Sequence, residues 1–297
     1  MTQNRIKDLL IELDLSTPSS FVQIYDRVRD RDDVAVLRCE RTGAILLSRT
    51  DHMEISHYQE KESLSYYNSD SIQSAILKTE IDDSRREQMF KDLVRNKVLL
   101  DVGCGVGGAL ARLNPYTRGA SGVEPQKAAR ELAQGRDLEV HGDIHDVPEN
   151  HCDVATLFHV YEHITDPVEF LKLVRSRIKP GGKILIEVPH SGDFLISFLA
   201  CEAFMSHTFW SEHMILHSRQ TLEAFVKAAG FTSPVTRGYQ RYPLANHLQW
   251  LSQGKPGGHQ NWSFLRDVQL DAAYNSVLAN LNMTDTIILE ATNPAEA

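Results

Sequence analysis

Residues 98–108, VLLDVGCGVGG, constrain this chain more than any other stretch. Val98 to Val102 is an apolar run broken only by Asp101, the pattern of a strand buried on both faces of a parallel sheet. Gly103, Gly105, Gly107 and Gly108 follow at once. Glycines let a backbone turn sharply and pass close to a ligand. The spacing Gly103-x-Gly105-x-x-Gly108 fits the fingerprint of a strand that enters a helix at a nucleotide-binding turn.

Downstream, strand and helix signals alternate. Ala120–Val123, Leu138–His141, Asp153–Phe158 and Lys183–Val188 read as strands. Helices are expected from Gly107, over Pro125–Gln134, and from Pro167. Asp166 stands as N-cap for the last, with Glu169 completing a capping-box pattern. Lys179-Pro180-Gly181-Gly182 is expected to end that helix and turn the chain. Ser218 caps a helix ending at Gly230, Phe231–Gly238 reads as a further strand, and Asp285–Glu290 as the last. Such alternation implies an α/β fold, a mostly parallel sheet covered on both faces. Its ligands bind at the carboxyl ends of the strands.

The first third differs. YDRVRDRDD, residues 25–33, is a mixed-charge surface loop, and Val34–Arg38 with Ala44–Leu47 reads as a hairpin around Thr42-Gly43. Tyr66 and Tyr67 are expected to pack rather than bind, and 71–95 to form a helix. We divide the chain into a hairpin or cap region, 1–70, and a ligand-binding domain, 71–297. Residues 239–283 are an insertion whose Gly, Pro and aromatic content suits a lid.

Composition narrows the partners. The net charge is -9 over 297 residues, which argues against nucleic acid as substrate. Cys39, Cys104, Cys152 and Cys201 are widely separated, with no CxxC pair, so neither a disulfide framework nor a metal site is expected. The charged, amphipathic start is not expected to act as a signal peptide. The most apolar stretch, Phe194 to Met205, is too short to span a bilayer. These features suit a cytoplasmic protein.

Acids after the strands discriminate between ligands. Glu124 ends the second strand, where a carboxylate accepts from ribose hydroxyls. By itself that pairing serves a nicotinamide dinucleotide as well as S-adenosylmethionine. Asp101, however, would repel a pyrophosphate and favours a cationic amino-acid moiety. Asp143, in Gly142-Asp143-Ile144, suits an adenine amine, with capping of a turn as its competing role. The fourth strand runs into FHVYEH, residues 158–163. His159 and His163 either share a helical face or bind a metal; with no acid clearly convergent on them, packing is the expectation.

Taken in order, these motifs resemble those of class I S-adenosylmethionine-dependent methyltransferases. The resemblance covers about 97–231 and rests on LLDVGCGVGG, GVEPQ, GDI, DVATLFHVYEHITDP and KPGGKILIEVPH. It implies a Rossmann-like, mostly parallel seven-stranded sheet with an antiparallel last strand. It also implies that Gly103, Gly105 and Gly107 line the methionine part of the cofactor. Glu124 would hold the ribose, Asp143 and Ile144 flank adenine, His159 lie near the sulfonium, and Pro125 join them in the cofactor site.

FWSEHMILHSRQTLEAFVKAAGF is similar to a segment of the family's bacterial sugar and small-molecule branches. Val34–Leu47 resembles a remnant of their cysteine-rich zinc module, with only Cys39 present. The resemblance therefore implies methyl transfer to a small polar acceptor, foremost a sugar hydroxyl of a glycoconjugate or nucleotide-sugar. S-adenosylhomocysteine would be the other product. A hydroxyl must lose a proton as it is methylated, and histidine titrates in the right range. His213 is the expected base, assisted by Glu212, with His190 in reserve. C- and N-transfer stay open, as does a magnesium requirement. An oxidoreductase and a non-catalytic cofactor-binding protein are the competing classes.

Overall fold

The computed structural model describes residues 4–53 and 72–295. Tyr66 and Tyr67 lie outside the described residues. The chain opens with helix α1 (Arg5–Glu12), whose N-cap Asn4 side chain accepts from Lys7 N–H. Three short strands follow: β1 (Phe21–Tyr25), β2 (Val36–Cys39) and β3 (Ile45–Leu47). The β2–β3 pair is the expected hairpin, in register Val36↔Leu47 to Arg38↔Ile45.

Helix α2 (Ile72–Phe90) leads into β4 (Val98–Val102). Then come α3 (Gly108–Leu113), β5 (Gly119–Val123), α4 (Lys127–Gln134), β6 (Glu139–His141), β7 (Cys152–Phe158), α5 (Pro167–Arg177) and β8 (Ile178–Pro189). Two short helices, α6 (Phe194–Ser197) and α7 (Glu202–Thr208), precede β9 (Ile215–Leu216). The chain continues with α8 (Arg219–Ala228), β10 (Thr232–Tyr239), α9 (Leu244–Gln253), α10 (Gly258–Asn261), α11 (Val268–Asn280) and β11 (Thr286–Thr292).

The larger sheet has seven strands in the order β10-β11-β8-β7-β4-β5-β6. The strands from β6 across to β8 run parallel, and β11 runs antiparallel to β8 and β10. Both faces are buried, and side chains alternate between them. Leu99, Leu185 and Ile288 join one apolar cluster. Leu100, Ile184, Ile186, Ile287 and Leu289 join the other. That second cluster continues into Ile45, Leu46 and Leu47, so the N-terminal strands share a core with the main sheet.

A four-stranded sheet, β1-β2-β3-β9, includes a strand from far downstream. Ile215 and Leu216 pair with Leu46 and Ile45. Nothing local in 215–216 announces a strand; the register is set by a partner some 170 residues earlier in the chain.

Three local expectations need correction. Helix α2 stops at Phe90 rather than 95. There Phe90 is buried and stacks on Phe158, centroids 5.7 Å apart, and the chain turns through Asn96 at φ 57. Asp166 occupies the N-cap of α5 but makes no side-chain capping bond; its carboxylate lies 3.5 Å from Arg5 Nε instead. Lys179–Gly182 do not break the strand. Ile178 already pairs with Cys152, and Asn293 ties down the carbonyls of Ile178 and Lys179 while accepting from Gly181 N–H, so β8 starts five residues early. Among the described residues no helix is long and apolar enough to cross a membrane.

Candidate active site

Strand order reverses at β4, with β5 on one side and β7 on the other. Crevices form at the carboxyl end of such a switch point. Here a cavity of about 800 Å³ opens at that end. That volume accommodates a cofactor and a small acceptor together.

The glycine turn forms one wall. Gly103 and Gly107 hold φ 76 and 75, and Gly107 is the N-cap of α3. A side chain would strain both. Gly108 serves packing instead: a Cβ there would overlap the Asp83 carboxylate of α2. The turn is thus pinned from above by a helix that the fingerprint says nothing about.

Two acids face the cavity from the strand ends. Glu124 accepts Gly105 N–H at 2.9 Å and Gln126 N–H at 2.8 Å, one on each oxygen. These bonds hold the carboxylate rigid and leave lone pairs for ribose hydroxyls. Burial nonetheless pushes its pKa up. Asp101 is buried and accepts from Thr156 Oγ1 at 2.7 Å. Burial raises it to about 7, against the Thr156 bond and Arg86, with Asp83 and Glu124 adding repulsion. A cationic ligand would relieve that repulsion. The donor set therefore fits S-adenosylmethionine.

Pro125, Asp143 and Ile144 also line the cavity. Asp143 Oδ1 caps the 3-10 turn that follows, accepting from the His145 backbone N–H at 2.8 Å and contacting the His145 ring at 2.7 Å. Its capping role is present, and its place in the wall is kept.

His159 sits at the carboxyl end of β7 with φ 56, a costly conformation for a non-glycine residue. The surroundings over-determine it. Its backbone N–H donates to Glu187 O at 2.8 Å. Nδ1 lies 3.1 Å from Glu162 Oε1 and Nε2 lies 2.8 Å from Arg241 Nη1. Glu187 Oε1 is 3.3 Å from the same Nε2. An atom accepting from Arg241 cannot also donate to Glu187, so the shorter contact decides: Nε2 accepts and Nδ1–H donates to Glu162.

Behind His159 lies a buried charge network invisible in the motifs. Arg85 and Arg86 of α2 converge on Glu187, at 2.7 and 2.9 Å. Arg86 and Arg85 hold Glu187 well below the usual carboxylate range despite its burial. Arg241, in the insertion, grips Asp82 of α2. Asp82, Asp83, Arg86 and Arg241 all reach the cavity wall. Sequence reading missed them because α2 and the insertion carry no motif. Arg-rich helix faces are ordinary surface features until a buried glutamate is placed beneath them.

The expected catalytic residues separate. His213 lines the cavity. It is brought there by β9, by Met214 O accepting from Leu47 N–H at 3.2 Å, and by Ser211, which bonds Asp30 through both its N–H and hydroxyl. Burial, then the neighbouring His163, pushes its pKa down to about 3. Glu212 is buried beside it and offers its backbone carbonyl to His163 Nδ1 at 2.8 Å. His190 is not in the cavity wall: its Nδ1 faces Thr284 O at 2.9 Å, and it bridges to His217. Its reserve role as base loses its geometric support.

One premise from the sequence is corrected. An acid does converge on these histidines. Glu162, His163 and His213 each offer a ligand atom, all within 4.8 Å of one another, and all three line the cavity. The i,i+4 pair His159/His163 is not the partnership, because 161–163 form a single 3-10 turn and not an α-helix.

With this geometry in view, a family profile described as a methyltransferase domain matches residues 63–234. The chain belongs to this family. It is an S-adenosylmethionine-dependent methyltransferase on a Rossmann-like fold. It is 33% identical over 170 residues to the ubiquinone biosynthesis O-methyltransferase of Aeromonas salmonicida, covering 52% of this chain and 70% of that protein. The protein of the same name from Alkalilimnicola ehrlichii is 30% identical over 118 residues, 35% of this chain and 47% of its own length. Among solved structures, a methyltransferase of Thermotoga maritima covers 81% of this methyltransferase and 100% of its own chain, with TM-score 0.53 and 17% identity. One from Archaeoglobus fulgidus covers 72% and 93%, with TM-score 0.51 and 18% identity. At such identities the structures support the fold alone.

Proposed function

We propose that this methyltransferase acts on a hydroxyl oxygen of a small polar acceptor, with a sugar or sugar conjugate first. The observation that carries the reading is one cavity with Glu124 and Asp101 at one end and the cluster Glu162, His163 and His213 in its wall. The bound cofactor supplies a methyl group already activated on a sulfonium. The chain's part is therefore mainly alignment. Glu124 holds the ribose, Asp101 the amino-acid end, and Pro125, Asp143 and Ile144 the adenine. Gly103, Gly105 and Gly107 leave room for the methionine portion. His159, locked between Glu162 and Arg241, walls the reacting centre.

His213 takes the acceptor-facing role. Glu212 acts through the backbone, by orienting His163. We assign 1–70 to a cap that positions 209–216, 71–297 to the catalytic domain, and 239–283 to an insertion that closes the cavity through Arg241. Four free cysteines support a cytoplasmic setting.

A second reading has its own support. Relatives named for ubiquinone biosynthesis favour a ring hydroxyl of a quinone precursor over a sugar hydroxyl. Labelled methyl transfer to a panel of nucleotide-sugars, pyranosides and catechols separates the two. Product on sugar hydroxyls is expected, and product on catechols alone selects the second reading. Transfer only to amines or carbon sinks the hydroxyl assignment. His213→Ala is expected to cut turnover by about 100-fold or more while S-adenosylhomocysteine affinity stays unchanged.

A further inference from the structure

The turn after β7 presents Glu162 and His163 together, and β9 brings His213 to them across the fold. Glu162 and His163 are buried, at 1% and 8% exposure. Glu162 uses Oε1 to receive His159. Its Oε2 is buried and has no hydrogen-bond partner among the described residues, and the same holds for Nδ1 of His213. Leaving such atoms unmet is costly, most of all for a carboxylate oxygen.

The imidazole of His163 is already oriented. Its Nδ1–H donates to the Glu212 carbonyl, which leaves the lone pair on Nε2, 4.0 Å from Glu162 Oε1. A carbonyl fixing the tautomer from behind is the usual outer support of a metal-binding histidine. Two imidazoles and one carboxylate form a ligand set of catalytic zinc and related divalent sites, which keep a position open. Magnesium and calcium prefer all-oxygen sets.

We propose that Glu162, His163 and His213 bind one divalent cation of the zinc class, and that the acceptor hydroxyl occupies its open position. The site is separate from Cys39, which is buried against Ser16. Its role in catalysis rests on the hydroxyl-transfer reading above; its existence does not. At the ion the acceptor O–H becomes more acidic and gives its proton to water. The oxygen lone pair then forms the new O–CH3 bond while the S–CH3 electron pair returns to sulfur. Neutral S-adenosylhomocysteine leaves and the ion is unchanged.

The test is equilibrium dialysis of the chelator-stripped full chain against Zn²⁺ and Co²⁺. One equivalent of each is expected to bind. Glu162→Gln and His213→Ala should each weaken binding by at least about 100-fold, beyond the 10- to 100-fold of an outer-shell change. His151→Ala should bind as the parent does. Circular dichroism and S-adenosylhomocysteine binding report whether each variant is folded. The Co²⁺-loaded parent needs no variant: its visible absorption should be that of a low-symmetry nitrogen and oxygen site. No bound metal, a spectrum equal to aqueous Co²⁺, or stoichiometric binding that survives both substitutions overturns the proposal. Metal binding without hydroxyl methylation would leave the site standing and remove the acceptor assignment instead.

Discussion

Arg241 Nη1 donates to Nε2 of His159 at 2.8 Å, joining the insertion to the carboxyl end of β7 across 82 residues of chain. The same guanidinium grips Asp82, and Asp285 accepts from its backbone N–H at 3.0 Å. One side chain thus links the insertion, α2 and the site.

Removing it should be felt in stability as well as in the site. Arg241→Ala leaves Asp82 without its main counter-charge, although Arg85 remains 3.1 Å away. Breaking a mostly buried pair costs roughly 3 kcal/mol, less what Arg85 recovers. We expect a loss of about 2 kcal/mol in urea unfolding. Arg241→Lys should recover only part of it, because lysine lacks the fork that reaches Asp82 and His159 together. A parent-like midpoint for Arg241→Ala would refute the linkage.

Glu124→Ala should weaken S-adenosylhomocysteine binding. Hydrogen bonds to a charged group contribute about 1.5–3 kcal/mol each, so at least a tenfold rise in Kd is expected by calorimetry. The amides of Gly105 and Gln126 also lose their acceptor. An unchanged Kd removes the ribose role from this residue.

Gly108→Ala should destabilise the fold by about 1–3 kcal/mol, because the new methyl overlaps the Asp83 carboxylate. The double variant Gly108→Ala, Asp83→Ala should recover much of that loss. A non-additive cycle of at least 0.5 kcal/mol, measured by denaturation, is the expected sign of direct packing. Strict additivity would place the cost elsewhere.

Cofactor affinity should depend on pH through Asp101. Its folded pKa, about 7, lies above its ordinary 3.8 because of burial. Between these values the folded state holds a proton that the unfolded chain has released. Stability of the free protein therefore falls as pH rises from about 4 to about 7 and is flat above. A cationic ligand favours the carboxylate, so binding expels that proton. Affinity for S-adenosylmethionine should rise with pH by up to about tenfold per unit below pH 7 and level off above it. Calorimetry in buffers of different ionisation enthalpy should register proton release at pH 6. Asp101→Asn should abolish this release; if it persists undiminished, the titrating group is another.

The cavity wall at the strand ends was legible because its signals are local. A buried parallel strand must be apolar, its turn needs residues that tolerate positive φ, and an acid must end the next strand. Those demands fall on neighbouring residues, so the glycine turn and the acids Asp101 and Glu124 beside it could be found from spacing. Ser218 as a helix cap was readable for the same reason, and the structure confirms its bond to Thr221 N–H. Asp166 had the right chemistry for a cap, but its carboxylate lies toward Arg5 from a distant helix.

The sequence by itself determined the fold class and the order of the parallel strands' motifs, since periodicity and turn chemistry act over a few residues, and the resemblance of those motifs named the cofactor. Only the tertiary structure decided which histidine faces the cavity. His190 and His213 look alike in sequence; the pairing of β9 with β3 carries His213 inward, while Thr284 and His217 hold His190 away. It also decided that Glu162 converges with His163 and His213, and that Arg85 and Arg86 bury their charges on Glu187. Convergence of this kind depends on contacts between residues tens to hundreds of positions apart. Such contacts are set by long-range strand register and by the need to neutralise buried charge, and no short window of sequence records either.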